Sequence, residues 1–157
     1  MVKVIEEQTL VNDLNLILDQ LEMSSRKMEV IVQEEREAAH FFAGERLEQL
    51  FDDRARCQSE LVEVESRCRR MMTRLGVSDQ TTLEQFIDIY AADDCERLQQ
   101  KRLDILQRLE SVRLATNENK ILLHAAWSVT NHVLHEVGAL PAYESYGMDV
   151  AAYGGVR

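Results

Sequence analysis

Three long stretches of the sequence repeat apolar residues at intervals that alternate between three and four positions. This spacing keeps one side of an α-helix turned toward a partner helix over many turns, so it predicts long helices that pack lengthwise. The first repeat comprises Val4, Glu7, Val11, Leu14, Leu18, Leu21, Ser25, Met28, Val32, Glu35, Ala39 and Phe42. The second and third repeats comprise Leu47, Leu50, Arg54, Cys57, Leu61, Val64, Cys68, Met71 and Leu75, then Leu98, Arg102, Ile105, Leu109, Val112, Thr116, Asn119, Leu123, Ala126, Thr130, Val133 and Val137.

Glycines separate these stretches. Gly44, Gly76 and Gly138 each follow a repeat closely, and glycine readily takes the left-handed conformation that ends a helix. Thr82 and Gln85 have capping-box spacing before a short apolar run, as do Thr81 and Glu84, and no segment alternates apolar and polar residues for long enough to predict a strand. We predict helices at about 4–42, 45–75, 81–91 and 94–137, followed by a flexible tail, 139–157, that contains Tyr and Gly residues.

The length of the helices determines the architecture. At 1.5 Å per residue, helices of 31 to 45 residues would be roughly 45–65 Å long and must lie side by side. Short links make consecutive helices antiparallel, so the first and third long helices should run in the same direction. The fold class predicted is all-α, an elongated antiparallel helical bundle or coiled coil of three long helices and one short helix, with residues 1–138 as a single helical rod.

Additional apolar stripes lie beside the first and third repeats. One interpretation is that they widen the face that packs into the core, as in most globular helices. The other is that they form an interaction surface that another molecule covers. The residues concerned are Leu10, Ile17 and Ile31 in the first helix and Leu122, Ala125 and Val129 in the third.

Charge and hydropathy restrict the partners. The chain has 28 acidic and 18 basic residues, a formal net charge of −10, without a basic stripe, which argues against nucleic acid as a partner. No apolar run approaches the roughly 18 residues of a membrane span, so we expect no membrane insertion. The acidic start MVKVIEEQTL does not resemble a secretory signal, and the predicted localisation is cytoplasmic. The three cysteines, Cys57, Cys68 and Cys95, lack CxxC spacing and are predicted to be packing residues.

Residue patterns for catalysis or metal binding are sparse. Glu37 with His40 and His132 with His135 could each present two ligands on one helical face, but a di-iron bundle needs two Glu-x-x-His steps and further carboxylates. Glycine-rich phosphate loops and nucleophile elbows are absent from the sequence. We therefore predict a protein that is not an enzyme, with no catalytic residues, metal site or cofactor.

Within the third repeat, Thr116 and Asn119 are polar at successive positions, whereas most other members are apolar. A buried amide destabilises the fold unless it is paired, so Asn119 could select the register of the helices. Alternatively the packing opens there and exposes the residues that follow. In that case the end of the helix forms an apolar surface suited to an amphipathic helix, with Asn119, Leu122, Leu123, Ala126, Trp127 and Thr130 as the predicted binding residues.

The order and spacing of several segments resemble the FlgN type of flagellar type III export chaperone. These segments are EEREAAHFFAGERLEQLFDDRARCQSELVEVESRCRRMMTRLGV in the first half and LATNENKILLHAAWSVTNHVLHEVGALPAYESYG in the second, so the resemblance covers nearly the whole chain. The Leu75-Gly76 step and the Asn-containing segment before a Tyr-Gly tail carry it most clearly. The chain departs from the family pattern at Thr116, where an Asn is usual, and at Lys120, where a Gly is usual.

The resemblance implies a cytoplasmic chaperone without ATPase activity. Such a chaperone binds hook-associated flagellar proteins through their C-terminal amphipathic helices, prevents their premature association and delivers them to a component of the export gate. By position, Asn119 matches the second Asn of the family's Asn-x-x-Asn step. Tyr146 matches the family's tail tyrosine, which is implicated in docking to the gate, and Tyr143 is an alternative.

A different class of function also fits the repeats. A coiled-coil scaffold or adaptor would form a homodimer through the same apolar stripes and have no role in secretion. A scaffold should be a dimer at all concentrations, whereas a chaperone should exchange self-association for its client.

Overall fold

The structure is a computed structural model that describes residues 2–138, with side chains from residue 8 onward except at residue 92. This part of the chain is all-α, with three long helices and one short one, as the repeats predicted. The short helix leads through a single 3-10 turn into the last long helix. The elements are α1 (Val2–His40), α2 (Gly44–Arg74), α3 (Leu83–Tyr90), the 3-10 turn (Ala92–Asp94) and α4 (Cys95–Glu136). Each observed helix end lies within two residues of the sequence-based bound.

The turn between α1 and α2 differs from the expected one. The left-handed residue there is Phe42, with a φ of 52°, while Gly44 is the first residue of α2. The N–H groups of Phe42 and Ala43 donate to the carbonyl oxygens of Ala39 and Ala38, at 3.3 and 2.9 Å, which is the Schellman pattern of a helix end. The prediction that Gly44 ends α1 is therefore wrong, and a phenylalanine holds a conformation that normally favours glycine.

At the other two helix ends the glycines behave as predicted. Gly76 follows α2 with a φ of 70°, and Gly138 follows α4 with a φ of 72°. Thr82 begins α3 with the predicted capping box, since its hydroxyl accepts from the Gln85 N–H at 3.2 Å and its own N–H donates to Gln85 Oε1 at 3.0 Å.

The helix α1 is the central element. It packs against α2 on one side and α4 on the other, while α2 and α4 contact each other little. Two neighbours require a wide buried face, and Leu10 and Ile17, from the additional stripe of α1, are indeed buried in the core, with Ile31 packed against it. The stripe of α1 therefore widens the face of the helix that packs into the core, as the first interpretation expected.

The core consists of two buried clusters that follow one another along α1. The first includes the fully buried Phe86 and Ile87 of α3, so the short helix covers the apolar surface at the first half of α1. The second lies further along the bundle and joins α1, α2 and α4 through Met28, Val32, Cys57 and Val112. The core thus runs lengthwise, as expected for long helices that pack side by side.

The helices α1 and α4 are parallel and keep a constant register. Arg97 donates to Asn15 Oδ1 at 2.8 Å, Lys101 pairs with Asp19, and Arg36 pairs with Glu118 at 3.3 Å, and each pair is 82 positions apart. At this offset His40, the last residue of α1, is level with position 122 of α4. Residues 123–136, about 20 Å of helix, therefore extend past the end of α1, and we call them the α4 overhang.

None of the helices within residues 2–138 combines the length and the apolar character that a membrane-spanning helix needs.

Candidate functional site

The burial of the α4 repeat changes abruptly along the helix. Every seventh residue from Leu98 is buried through Ile105, Val112 and Asn119. The next residues at this spacing are Ala126, which is partly buried, and Val133, which is 53% exposed. The change coincides with the end of α1, so the repeat continues while the helix that covered it does not.

Three polar side chains meet across the bundle just before this change. The Arg54 guanidinium of α2 donates through Nε and a terminal nitrogen to both carboxylate oxygens of Glu35, with the Nε contact at 2.8 Å. Its other terminal nitrogen donates to the Thr116 hydroxyl of α4 at 3.2 Å. Glu35 is buried and Arg54 is largely buried, so we call Glu35, Arg54 and Thr116 the polar layer.

Beside the polar layer, the Asn119 amide donates to the backbone carbonyl of Val32 at 2.8 Å. Asn119 is buried, and this bond satisfies its amide nitrogen inside the core. Asn119 joins α4 to α1 through this bond, and α4 extends past the end of α1 a few residues later. Selection of the helix register by Asn119 stays a prediction. Because Asn119 is buried, it does not lie on the exposed surface with the other residues that were predicted to bind a client.

Of the remaining predicted binding residues, Leu122 directly precedes the α4 overhang, and the other four lie within it. Leu122, Leu123 and Ala126 are partly buried, and Trp127 is 50% exposed with its ring centroid 6.5 Å from that of His124. The Thr130 hydroxyl is exposed and donates to the carbonyl of Ala126 at 2.9 Å, so it is occupied within its own helix. These residues share one helical segment.

Several apolar side chains of this segment were not among the predicted site residues. They surround the helix rather than following one seam, because the segment has almost no charged residues between Lys120 and Glu136. The lack of charged residues between Lys120 and Glu136 is the signal in the sequence that could have identified these side chains as an apolar surface. The exposed members are Ile121, Val129, Val133, Leu134 and Val137.

Phe41 and Phe42 add an aromatic surface at the end of the α1–α2 hairpin. Their side chains are 83% and 69% exposed. By the register of α1 and α4, position 41 is level with Leu123, where the overhang begins. The sequence analysis placed Phe42 in the core repeat. It did not anticipate the left-handed conformation of Phe42, which ends α1 and directs the chain away from the core.

Tyr143 and Tyr146, the residues predicted to dock to the export gate, lie outside the described residues.

Within the residues that the structure describes, no group of three or more His, Cys, Asp or Glu side chains could hold a metal ion. The cysteine thiols are involved in packing. Burial raises the pKa of the Cys57 and Cys68 thiols, and Cys57 donates to the carbonyl of Ser24 at 3.2 Å. A hydrogen bond to the Asp88 carboxylate, at 3.3 Å, raises the pKa of the partly exposed Cys95.

Comparison of the chain with models of known protein families, with curated proteins and with solved structures finds no match.

Proposed function

We propose that this protein is an export chaperone of the FlgN type. In this function it binds hook-associated flagellar proteins through their C-terminal amphipathic helices, keeps those helices from associating prematurely, and passes them to the type III export gate. The flagellar assignment rests on the resemblance of the sequence segments. The assignment of a helix-binding role rests on the α4 overhang.

The observation that carries the proposal is the uncovered end of α4. Among the described residues, this segment of 14 residues extends past the helix that covers the rest of α4, and most of its apolar side chains are exposed. A helix this short is marginally stable in water without packing, and exposed apolar surface favours association. A second amphipathic helix laid along the overhang would cover its apolar side chains and would itself become ordered on binding. Trp127, in the middle of the overhang, offers the type of side chain that most often dominates such interfaces.

The α1–α2 turn extends this surface at one end. Position 41 is level with Leu123, so the exposed Phe41 and Phe42 lie at the height at which a client helix along the overhang would reach the bundle. At the same place the bundle beneath is held by Asn119 and the polar layer. The proposed binding surface is therefore attached to a part of the structure in which the three long helices are joined by hydrogen bonds.

The test is client co-purification with a variant that removes the apolar surface. We expect Leu123→Asp with Trp127→Ala to lose hook-associated proteins from a pull-down, while the far-UV circular dichroism and the melting temperature change little. A matched control is Val62→Asp with Phe51→Ala, which alters an exposed aliphatic and an exposed aromatic residue on α2. Retention of the client by the overhang variant, or equal loss in the control, would contradict the proposal.

The role of the tail is tested separately. We expect Tyr146→Ala to retain the client in the pull-down and to reduce secretion of hook-associated proteins, with Tyr143→Ala as the comparison. A Tyr146→Ala protein that secretes its clients at the normal rate would remove this residue from the mechanism.

A coiled-coil scaffold remains the second candidate, because the overhang is apolar around most of its circumference and a second copy could cover it as well. Light scattering over a range of concentrations distinguishes the two. A constant dimer that client peptides do not dissociate favours the scaffold.

A further inference from the structure

A groove runs along α1 and α2 on the face that α4 does not cover. It consists of three adjoining clefts of about 620, 630 and 610 Å³, and neither α3 nor α4 contributes a lining residue. The first two clefts share Met23 and Lys27, and the last two share Arg67, so the three clefts adjoin one another along α1 and α2, and we call them together the α1/α2 groove. The Lys27–Glu60 ion pair, at 3.0 Å, lies at the boundary of the first two. The α1 wall of the groove extends from Thr9 to Glu34, which is about 38 Å of helix.

The α1 wall carries an apolar stripe with heptad spacing. Leu16, Met23 and Val30 are 60%, 55% and 57% exposed, and each lines the groove. Residues seven positions apart lie on one line along a helix, which is the pattern by which a helix packs against a neighbour. Within the part of the chain that the structure describes, no helix packs on this stripe, since α2 and α4 cover other sides of α1.

Two buried polar atoms in the middle cleft have no hydrogen-bond partner. They are Gln20 Oε1, an acceptor, and Arg67 Nε, a donor, and both side chains line the cleft of about 630 Å³. Buried polar atoms in folded proteins are nearly always satisfied. Arg108 Nη1 on α4 also lacks a hydrogen-bond partner, so these atoms mark polar groups enclosed between helices and do not by themselves identify a partner.

The charge of the groove points to the kind of partner. Of the Lys and Arg residues whose side chains the structure describes, Arg67, Arg74 and Lys120 are those without an ion pair, and two of the three line this groove. Arg67 and Arg74 are seven positions apart on α2, about 10 Å along the wall opposite the apolar stripe. The cleft that holds them is lined by one acidic residue, Asp13, so its net charge is positive in a chain that has ten more acidic than basic residues.

We propose that the α1/α2 groove binds an acidic amphipathic helix of another protein. That helix is about 25 residues long, places apolar side chains on Leu16, Met23 and Val30, and carries carboxylates seven residues apart that pair with Arg67 and Arg74. This proposal does not depend on the export role, because the groove and the α4 overhang share no residue.

The probe is a designed 25-residue helical peptide with a fluorescent label, leucines at the heptad core positions and two glutamates seven residues apart. The control peptide has lysines in place of those glutamates. Fluorescence anisotropy should show saturable binding of the glutamate peptide to the full chain. Met23→Lys should weaken it about tenfold or more, and Arg67→Glu should weaken it similarly while strengthening binding of the lysine peptide.

Matched variants separate the groove from general surface effects. Val62→Lys introduces the same charge as Met23→Lys at an exposed apolar position of α2 outside the groove, and Arg113→Glu makes the same charge reversal as Arg67→Glu on α4. Both should bind the glutamate peptide as the unaltered protein does. Val30→Lys repeats the groove test if Met23→Lys does not fold.

Three outcomes would overturn the proposal. The first is no saturable binding of the glutamate peptide, or equal losses in the groove variants and their controls. The second is loss of peptide binding in Trp127→Ala, which would place the peptide on the α4 overhang. The third is a dimer in light scattering that Met23→Lys converts to a monomer, which would make a second copy of this chain the occupant.

Discussion

Residues 95–119 and residues 123–136 of α4 continue one apolar repeat, yet the first set lies against α1 and α3 while the second extends past them. Leu98 is fully buried, whereas Leu134, on the same helix, is exposed. The comparison teaches that a repeat specifies a helical face and does not specify whether anything covers it. Coverage depends on the length and register of the neighbouring helices.

The largest expected effect concerns the polar layer, which lies where the two parts of α4 meet. Arg54→Ala leaves the Glu35 carboxylate buried without its counter-charge, and we expect the free energy of unfolding to fall by about 3 kcal/mol or more. Urea denaturation measures the change. The control, Glu35→Leu with Arg54→Met, removes both charges and should recover most of the loss, and a double variant as unstable as Arg54→Ala would rule out an unpaired charge as the cause.

A pair of leucine truncations tests the comparison directly. Leu98→Ala creates a cavity in the first core cluster and should lower the free energy of unfolding by about 2–5 kcal/mol. Leu134→Ala should change it by less than about 0.5 kcal/mol, because this side chain has no core to lose. Similar losses in the two variants, measured by the same denaturation, would show that the overhang is covered in solution.

Hydrogen exchange sharpens the comparison residue by residue. Amides in residues 98–119 should exchange at least about 100-fold more slowly than those in residues 123–136, because the overhang opens without disturbing the core. Exchange followed by mass spectrometry or NMR resolves the two segments. Added client helix should slow exchange in the overhang alone, and uniform protection along α4 without client would contradict the structure.

The smallest expected effect concerns the reactivity of the three cysteine thiols, which differ in burial. Cys95 is partly exposed, whereas Cys57 and Cys68 are buried, so iodoacetamide should alkylate Cys95 about tenfold faster or more. The hydrogen bond to Asp88 raises the pKa of Cys95, so its alkylation rate should still be rising at pH values where an ordinary thiol has levelled off. Asp88→Asn should shift this profile to lower pH, and an unchanged profile would mean that the hydrogen bond does not form.

Much of the fold could be predicted because it depends on local spacing. The alternating intervals of three and four, the glycines at 76 and 138 and the capping box at Thr82 each act within a few residues. Phe42 could not be anticipated, since its left-handed conformation conflicts with its residue type and is imposed by the turn as a whole.

The candidate site was less predictable because it depends on distant partners. Asn119 is paired with a carbonyl 87 positions away, so its sequence neighbours carry no sign of that contact. The residue at which the buried part of α4 ends depends on the offset of 82 sequence positions between α1 and α4. The packing of all four helices sets that offset. The groove along α1 and α2 escaped notice for the same reason, since it exists only where a third neighbour is missing.

Because α1 packs against both α2 and α4, its two sides become buried at different times during synthesis. During synthesis α1 and α2 can pair as soon as α2 has emerged, since three residues connect them. The side of α1 that α4 covers must wait until α4 has emerged as far as residue 122, the position level with the end of α1, which is about 50 residues after the end of α2. At 5–20 residues per second this takes roughly 2–10 s. Throughout that interval the most buried helix of the finished protein is the one with the most apolar surface exposed in the nascent chain.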